Sequence, residues 1–430
     1  MQKLKKLIVA IMIILLLIII VIILNTIKNK KAVQEEANLN VITYIEKYST
    51  EKVKNSIDFY TVKNICNAYV QNLMYKSSED LYNVLDPEYI KEFSITKENV
   101  ISKMPQYDYE NNDYLTLEVV VKDMYSVKNE NSIYTFFIYG YVVDNIKHNK
   151  NDFKCMVELS KENNTFYILP EDYMKKYNYT EISKGQEIEI SIKEIKENKN
   201  YNKYDSIIME DEEIILDYFN QYKTALIYDK EEAYNMLEEE YREKRFGSLK
   251  KFEEYVNKNI REIYLATFDK YQVESKNDYV QYICVDKDER YYIFNQYSIA
   301  EFKLILDTYT LELPEFTEKY NSSNEQGKCA LNIQKFMDAI NSYDYNYAYN
   351  CLSEGFKTNY FKTVQDFEKY IESTLYTKNK VSYESFEEQS GLYKYKVKIT
   401  NKENEQESII KTFVVKLNNG TDFEMSFNID

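Results

Sequence analysis

Three patterns of apolar and polar residues succeed one another along the chain. The first is an unbroken run, Leu7 to Leu24, eighteen apolar residues with no polar interruption. As a helix rising about 1.5 Å per residue it is about 27 Å long, the thickness of a bilayer's hydrocarbon layer. It predicts a transmembrane helix over 7–24 behind a short cytoplasmic tail, 1–6. A cleaved signal peptide is the alternative, but its apolar stretch is usually about 7–15 residues and ends in small residues. Here Asn25-Thr26-Ile27-Lys28 follows instead. Lysines balance across the run (Lys3, Lys5 and Lys6 against Lys28, Lys30 and Lys31). Orientation therefore rests on the short tail, which favours a signal anchor with the bulk of the chain outside the cytoplasm. Residues 25–55, polar with some helical character, read as a stalk.

Beyond the stalk, apolar residues recur first at helical spacing and then at a period of two. Ile215, Tyr218, Phe219, Tyr222, Ala225 and Leu226 mark one amphipathic helix. Leu249 to Ile260 marks another, opened by Ser248 as its N-cap. Strands follow the helices. In the first stretch they read 114–127, 132–143, 153–159 and 165–169, and in the last 381–388, 392–399, 408–417 and 423–427, with Asn419-Gly420 as the strongest hairpin signal. Helices followed by antiparallel strands within about 110 residues make an α+β pattern.

That pattern repeats. Residues 228–255 and 343–370 align without gaps at 11 of 28 identities: Tyr228/Tyr343, Asp229/Asp344, Ala233/Ala348, Tyr234/Tyr349, Asn235/Asn350, Leu237/Leu352, Glu239/Glu354, Phe246/Phe361, Phe252/Phe367, Glu253/Glu368 and Tyr255/Tyr370. A fainter copy, Leu81-Tyr82-Asn83-Val84-Leu85 with Tyr89, precedes them. The division expected is unit 1 with its linker over 56–205, unit 2 over 206–324 and unit 3 over 325–430. Most of the shared positions are apolar or small and specify packing. Asp229 and Asp344 precede short helices, which makes them caps rather than catalytic acids.

The order of parts, with Tyr228-Asp229-x3-Ala233-Tyr234-x2-Leu237 and Phe252-x2-Tyr255 and their counterparts in unit 3, resembles the NTF2-like superfamily. The resemblance implies three cones, each made of helices packed into a strongly curved antiparallel sheet, and it is similar in layout to membrane-anchored bacterial versions with tandem domains. Such domains also precede the catalytic part of some penicillin-binding transpeptidases.

Composition narrows the chemistry. The net charge is −16, and setting aside the six lysines of residues 1–31, which hold no acid, leaves −22. So acidic a body argues against nucleic-acid binding and against lying flat on anionic lipid. Its 44% hydrophobic and 15% aromatic content argues equally against disorder. Tyr 45 beside Trp 0 and His 1 reads as AT-rich codon usage rather than as a binding surface. The five cysteines, Cys66, Cys155, Cys284, Cys329 and Cys351, have no zinc spacing. They read as buried thiols, with a Cys284–Cys329 or Cys329–Cys351 bridge as the alternative. The single histidine, His148, lies in a polar turn without partners for a triad.

Asp286-Lys287-Asp288-Glu289 and Glu210-Asp211-Glu212-Glu213 lack calcium-loop spacing and read as a turn and a helix start. Ser-x-x-Lys occurs at 49, 94, 248 and 408, with no S-D-N or K-T-G to accompany it. The sequence therefore leads to a non-enzymatic chain with no cofactor and no metal. The expected role is that of a membrane-anchored extracytoplasmic binding or scaffold protein of a bacterial envelope, contacting envelope proteins or cell-wall components. A component of a conjugation or secretion channel, and a small-molecule binder or enzyme using a cone pocket, are the alternatives.

Overall fold

The computed structural model describes residues 44–107, 117–128, 133–144, 149–192 and 202–429. In chain order the elements are β1 (Tyr44–Ser49), β2 (Glu51–Lys52), α1 (Ser56–Met74), α2 (Ser78–Val84), α3 (Pro87–Glu92), α4 (Val100–Lys103), β3 (Leu117–Lys128), β4 (Ile133–Asp144), β5 (Asn149–Ser160), β6 (Thr165–Pro170), α5 (Glu171–Lys176) and β7 (Glu187–Ile192). Next come α6 (Asp211–Tyr228), α7 (Lys230–Asn235), α8 (Glu239–Arg245), α9 (Leu249–Leu265), β8 (Phe268–Ser275), β9 (Val280–Asp286), β10 (Tyr291–Ser298) and β11 (Glu301–Ile305). The last set is α10 (Pro314–Ser322), α11 (Glu325–Asn341), α12 (Tyr345–Asn350), α13 (Glu354–Tyr360), α14 (Val364–Thr374), β12 (Asn379–Gln389), β13 (Leu392–Asn401), β14 (Ser408–Leu417) and β15 (Phe423–Phe427).

Apart from α10, which precedes the long helix of the last set, each set runs long helix, short helix, two further helices, then a meander. The three large sheets keep chain order: β2-β3-β4-β5-β6, β11-β10-β9-β8 and β12-β13-β14-β15. β1 pairs with β7 in a separate ribbon, so residues 44–49 of the expected stalk are strand. One contact recurs in all three sets. The leucine after the short helix makes a single parallel bridge to the last strand: Leu85 to Ile168, Leu237 to Leu304, and Leu352 to Met425. The next amide donates to the same strand, Asp86 to Ile168 at 3.1 Å, Glu238 to Leu304 at 2.9 Å and Ser353 to Met425 at 2.9 Å. These leucines are fully buried, so each joint satisfies backbone groups and fills the core at once.

The joint also decides the shape of the sheets. It occupies the outer edge of the last strand, while the first strand stays at the opposite edge: β8 and β12 are exposed along most of their length. The sheets are open and none closes into a cone, which corrects the NTF2-like expectation.

The run at 7–24 lies outside the described residues, as does His148. Among those described, no helix is long and apolar enough to cross a membrane. Even α1, at 19 residues, carries Asp58, Lys63, Asn64, Asn67 and Gln71. The readings of a single-pass anchor with the bilayer as partner, of an envelope location and of a channel component accordingly find no support in the structure and are not carried forward.

Core packing is uneven. Buried apolar residues of the first two units form one continuous cluster, from Val53 to Leu306. Those of the third form their own, around Phe336, Phe367, Val397 and Phe413. Units 1 and 2 are further linked by the ion pair Lys63–Asp217, 2.6 Å, with both side chains largely buried. Replacing Leu237 by Ala should cost about 2–5 kcal/mol, because it opens a cavity and loosens a backbone joint. Urea denaturation of the L237A and L352A variants checks this; a loss below about 1 kcal/mol in both would mean that the joint is not structural.

Candidate functional site

The join between units 2 and 3 is polar. Arg245, the last residue of α8, is buried there: its Nε lies 3.5 Å from Asp307 and its Nη1 2.9 Å from Asp344, all three side chains being at most 7% exposed. Nη2 also donates to the Ser342 carbonyl at 3.3 Å, and the guanidinium lies over the Tyr255 ring at 5.4 Å. Burial opposes the charge on Arg245, but Tyr309, Asp344, Tyr241 and Asp307 outweigh it and raise its pKa. For Asp344 burial wins over Arg245, and its pKa is raised. Asp307 is itself fixed by the Tyr241 hydroxyl, which donates at 2.8 Å, and by the amides of Tyr309 and Thr310.

Beside this cluster the β9–β10 turn reaches across to unit 3. Lys402 pairs with Glu289 at 2.6 Å, Lys378 lies 3.6 Å from Asp288, and Arg290 holds Glu262 at 2.8 Å. The helices of unit 2 cover one face of its sheet, with Phe219 against Tyr292 at 4.9 Å. The alternate residues Lys270, Ile283, Val285 and Tyr291 lie on the other face, which looks toward α10 and α11. Between them is a crevice of about 850 Å³.

Asp338 on α11 lines that crevice. Its carboxylate accepts from the Gln334 amide at 2.7 Å, and no cation lies within ion-pairing distance of it among the described residues. Burial raises its pKa to about 6; Gln334 and Lys402 pull the other way, while Asp307 and Glu289 add to the rise. Tyr291 is raised first by burial and then by the Asp338 charge, and Tyr383 by burial, Tyr395 and Asp338 in turn. Tyr291 lines the crevice with Asp338, whereas the Tyr383 hydroxyl donates to the Ala330 carbonyl at 2.8 Å. The crevice's other acids are committed elsewhere: Glu262 to Arg290, Glu274 to Lys276, Glu289 to Lys402 and Asp307 to Arg245.

The repeat residues fall mostly in packing roles. Asp229 caps α7 by accepting from Glu232 N at 3.0 Å, and Asp344 caps α12 from Tyr347 N at 3.1 Å. Each also meets a cation of the preceding unit, Lys150 at 3.5 Å for Asp229 and Arg245 for Asp344. Ala233, Ala348, Phe252 and Phe367 are fully buried with Leu237 and Leu352. Tyr234 packs on Phe252, Tyr349 donates to the Phe361 carbonyl and Tyr370 to that of Ile429. Of the repeat residues, Tyr255 and Tyr343 line the crevice.

The sequence reading passed over Arg245, Asp307 and Asp338. A signal for the first was present: the chain's four arginines, at 242, 245, 261 and 290, all fall in the second unit. Asp338 carried none, because a single acid on an amphipathic helix reads as solvent-facing. No family model, curated protein or solved structure matches the chain.

Two outcomes follow from this geometry. Arg245→Ala leaves two carboxylates buried without their cation and should cost about 3–5 kcal/mol, read by denaturant unfolding. Asp338 is expected near 4 in the unfolded chain and sits at about 6 when folded. Folding therefore takes up a proton between those values, and its contribution to stability, full below about pH 4, is lost as pH rises through 6. The stability of Asp338→Asn relative to the unaltered protein should thus improve between pH 4.5 and 7; a constant difference over that range would show that the carboxyl is not perturbed.

Proposed function

We propose that the chain is a non-catalytic binding protein whose site is the crevice between units 2 and 3, and that its ligand presents a positively charged organic group to Asp338. The observation that carries this reading is a half-buried carboxyl with no cation within ion-pairing distance among the described residues, in a crevice whose other acids have theirs. At neutral pH that arrangement costs stability, and an incoming cation offsets the cost. Groups that sacrifice stability in this way concentrate at binding sites.

The surroundings favour an organic cation. Tyr291 lines the same crevice as Asp338, and aromatic rings attract ammonium and guanidinium groups. One carboxylate is too few for a metal ion, and among the described residues no group of three or more metal-binding side chains occurs. A volume of about 850 Å³ is that of a drug-sized or larger ligand. Binding is favoured over catalysis because Arg290, Lys378 and Lys402 are engaged in ion pairs. Among the described residues of the crevice, Asp338 has no second free acid or base beside it to complete a proton transfer.

Calorimetric titration of the full chain with spermidine, L-arginine and choline at pH 7.5 tests the reading. At least one cation should bind, at least tenfold more weakly to the D338N variant, and more weakly to the unaltered protein at pH 5, where the carboxyl is protonated. No binding by any of the three, or equal binding by D338N, would overturn it.

A further inference from the structure

Within unit 1, away from the residues that line the crevice, two thiols with no pairing signal along the chain come together. Cys66 lies near the middle of α1 and Cys155 on β5, 89 positions apart, with their Sγ atoms 3.6 Å from each other. Both are fully buried. Cys284, Cys329 and Cys351 are also free and buried, and the expected alternatives, Cys284–Cys329 and Cys329–Cys351, are not formed. A disulfide holds its sulfurs about 2.05 Å apart, so the Cys66–Cys155 pair, at 3.6 Å, needs to close by roughly 1.5 Å. We propose that Cys66 and Cys155 form a disulfide when the protein folds in an oxidising medium, stapling the first helix of unit 1 to its sheet.

The chemistry takes two exchanges with a small-molecule disulfide such as oxidised glutathione. The thiolate of one cysteine attacks it, its S–S bond breaks, and one glutathione thiolate leaves. The thiolate of the other cysteine then attacks the mixed disulfide, forming the Sγ–Sγ bond and releasing the second glutathione thiolate. The two cysteines together lose two electrons and two protons, and both protons end on the departing glutathiones. In the folded unit burial raises the Cys155 pKa, with the neighbouring Cys66 adding to the rise, and no solvent path reaches either sulfur. Bond formation therefore belongs to the stage before α1 seats on the sheet, and once made the bond is shielded from reductants by the same packing. The staple bears on the next unit too, because Lys63, one helical turn before Cys66, carries the ion pair to Asp217.

The test is refolding of the full chain from denaturant, once in a mixture of reduced and oxidised glutathione and once in reductant, followed by alkylation under denaturing conditions. Intact mass should show three alkylated cysteines after oxidative refolding and five after reductive refolding. A peptide map should join the segments that hold Cys66 and Cys155, and the oxidised form should melt at a higher temperature. A C66S/C155S variant should show three alkylated cysteines in both cases and no difference in melting. Five alkylated cysteines after oxidative refolding, or a cross-link joining any other pair, would overturn the proposal; the map on the unaltered chain decides this even if the variant does not fold.

Discussion

Arg245 is the group on which the arrangement of the second half of the molecule rests. It is buried between Asp307 of the segment after β11 and Asp344 at the start of α12, and it also donates to the backbone of Ser342. The apolar cores of units 1 and 2 are continuous, whereas unit 3 has its own cluster, which takes in Tyr309 from the segment after β11, so the buried apolar contact between units 2 and 3 is small. A buried cation between two acids supplies the fixed polar contact there. Such a cluster adds little net stability compared with apolar packing, yet it tolerates few geometries and so defines one. The crevice holding Asp338 exists because that geometry keeps the outer face of the unit 2 sheet opposite α11.

The three units use one joint for two purposes. Inside each, the leucine bridge ties the short helix to the last strand and leaves the first strand as the free edge. Between units, the aspartate that caps the short helix meets a cation of the unit before it: Lys150 for Asp229, Arg245 for Asp344. The two cases differ in consequence. Asp229 and Lys150 are partly exposed and their pair is worth little, because apolar packing already holds units 1 and 2. Asp344 and Arg245 are buried, and there the pair is the buried part of a connection that Lys402–Glu289 and Lys378–Asp288 extend to the surface.

Much of this was legible in the sequence because it depends on local order. The strands read from the period-two pattern, such as 408–417 and 423–427, coincide with those observed, Ser248 caps its helix, and Glu210 with Glu213 starts α6 as a capping box. Sheet closure was not legible. Alternation says that a segment is a strand, but not which edge a leucine bridge will occupy, and the cone expectation failed on that point. Arg245 and Asp338 were missed for a related reason. Their roles depend on which residues of another unit come to face them, and hydrophobic periodicity along one helix carries no record of that. Cys66 and Cys155 likewise meet only because α1 packs against β5.

The central claim is that the ion cluster at Arg245 fixes units 2 and 3 in one arrangement. Spin labels placed at Asp278 and Glu405, both exposed and on either side of the join, would measure it directly through their distance distribution, since the native cysteines are buried and would not take the label. A single narrow distribution is the result this account predicts. A broad or two-peaked distribution would contradict it, and with it the existence of a preformed crevice.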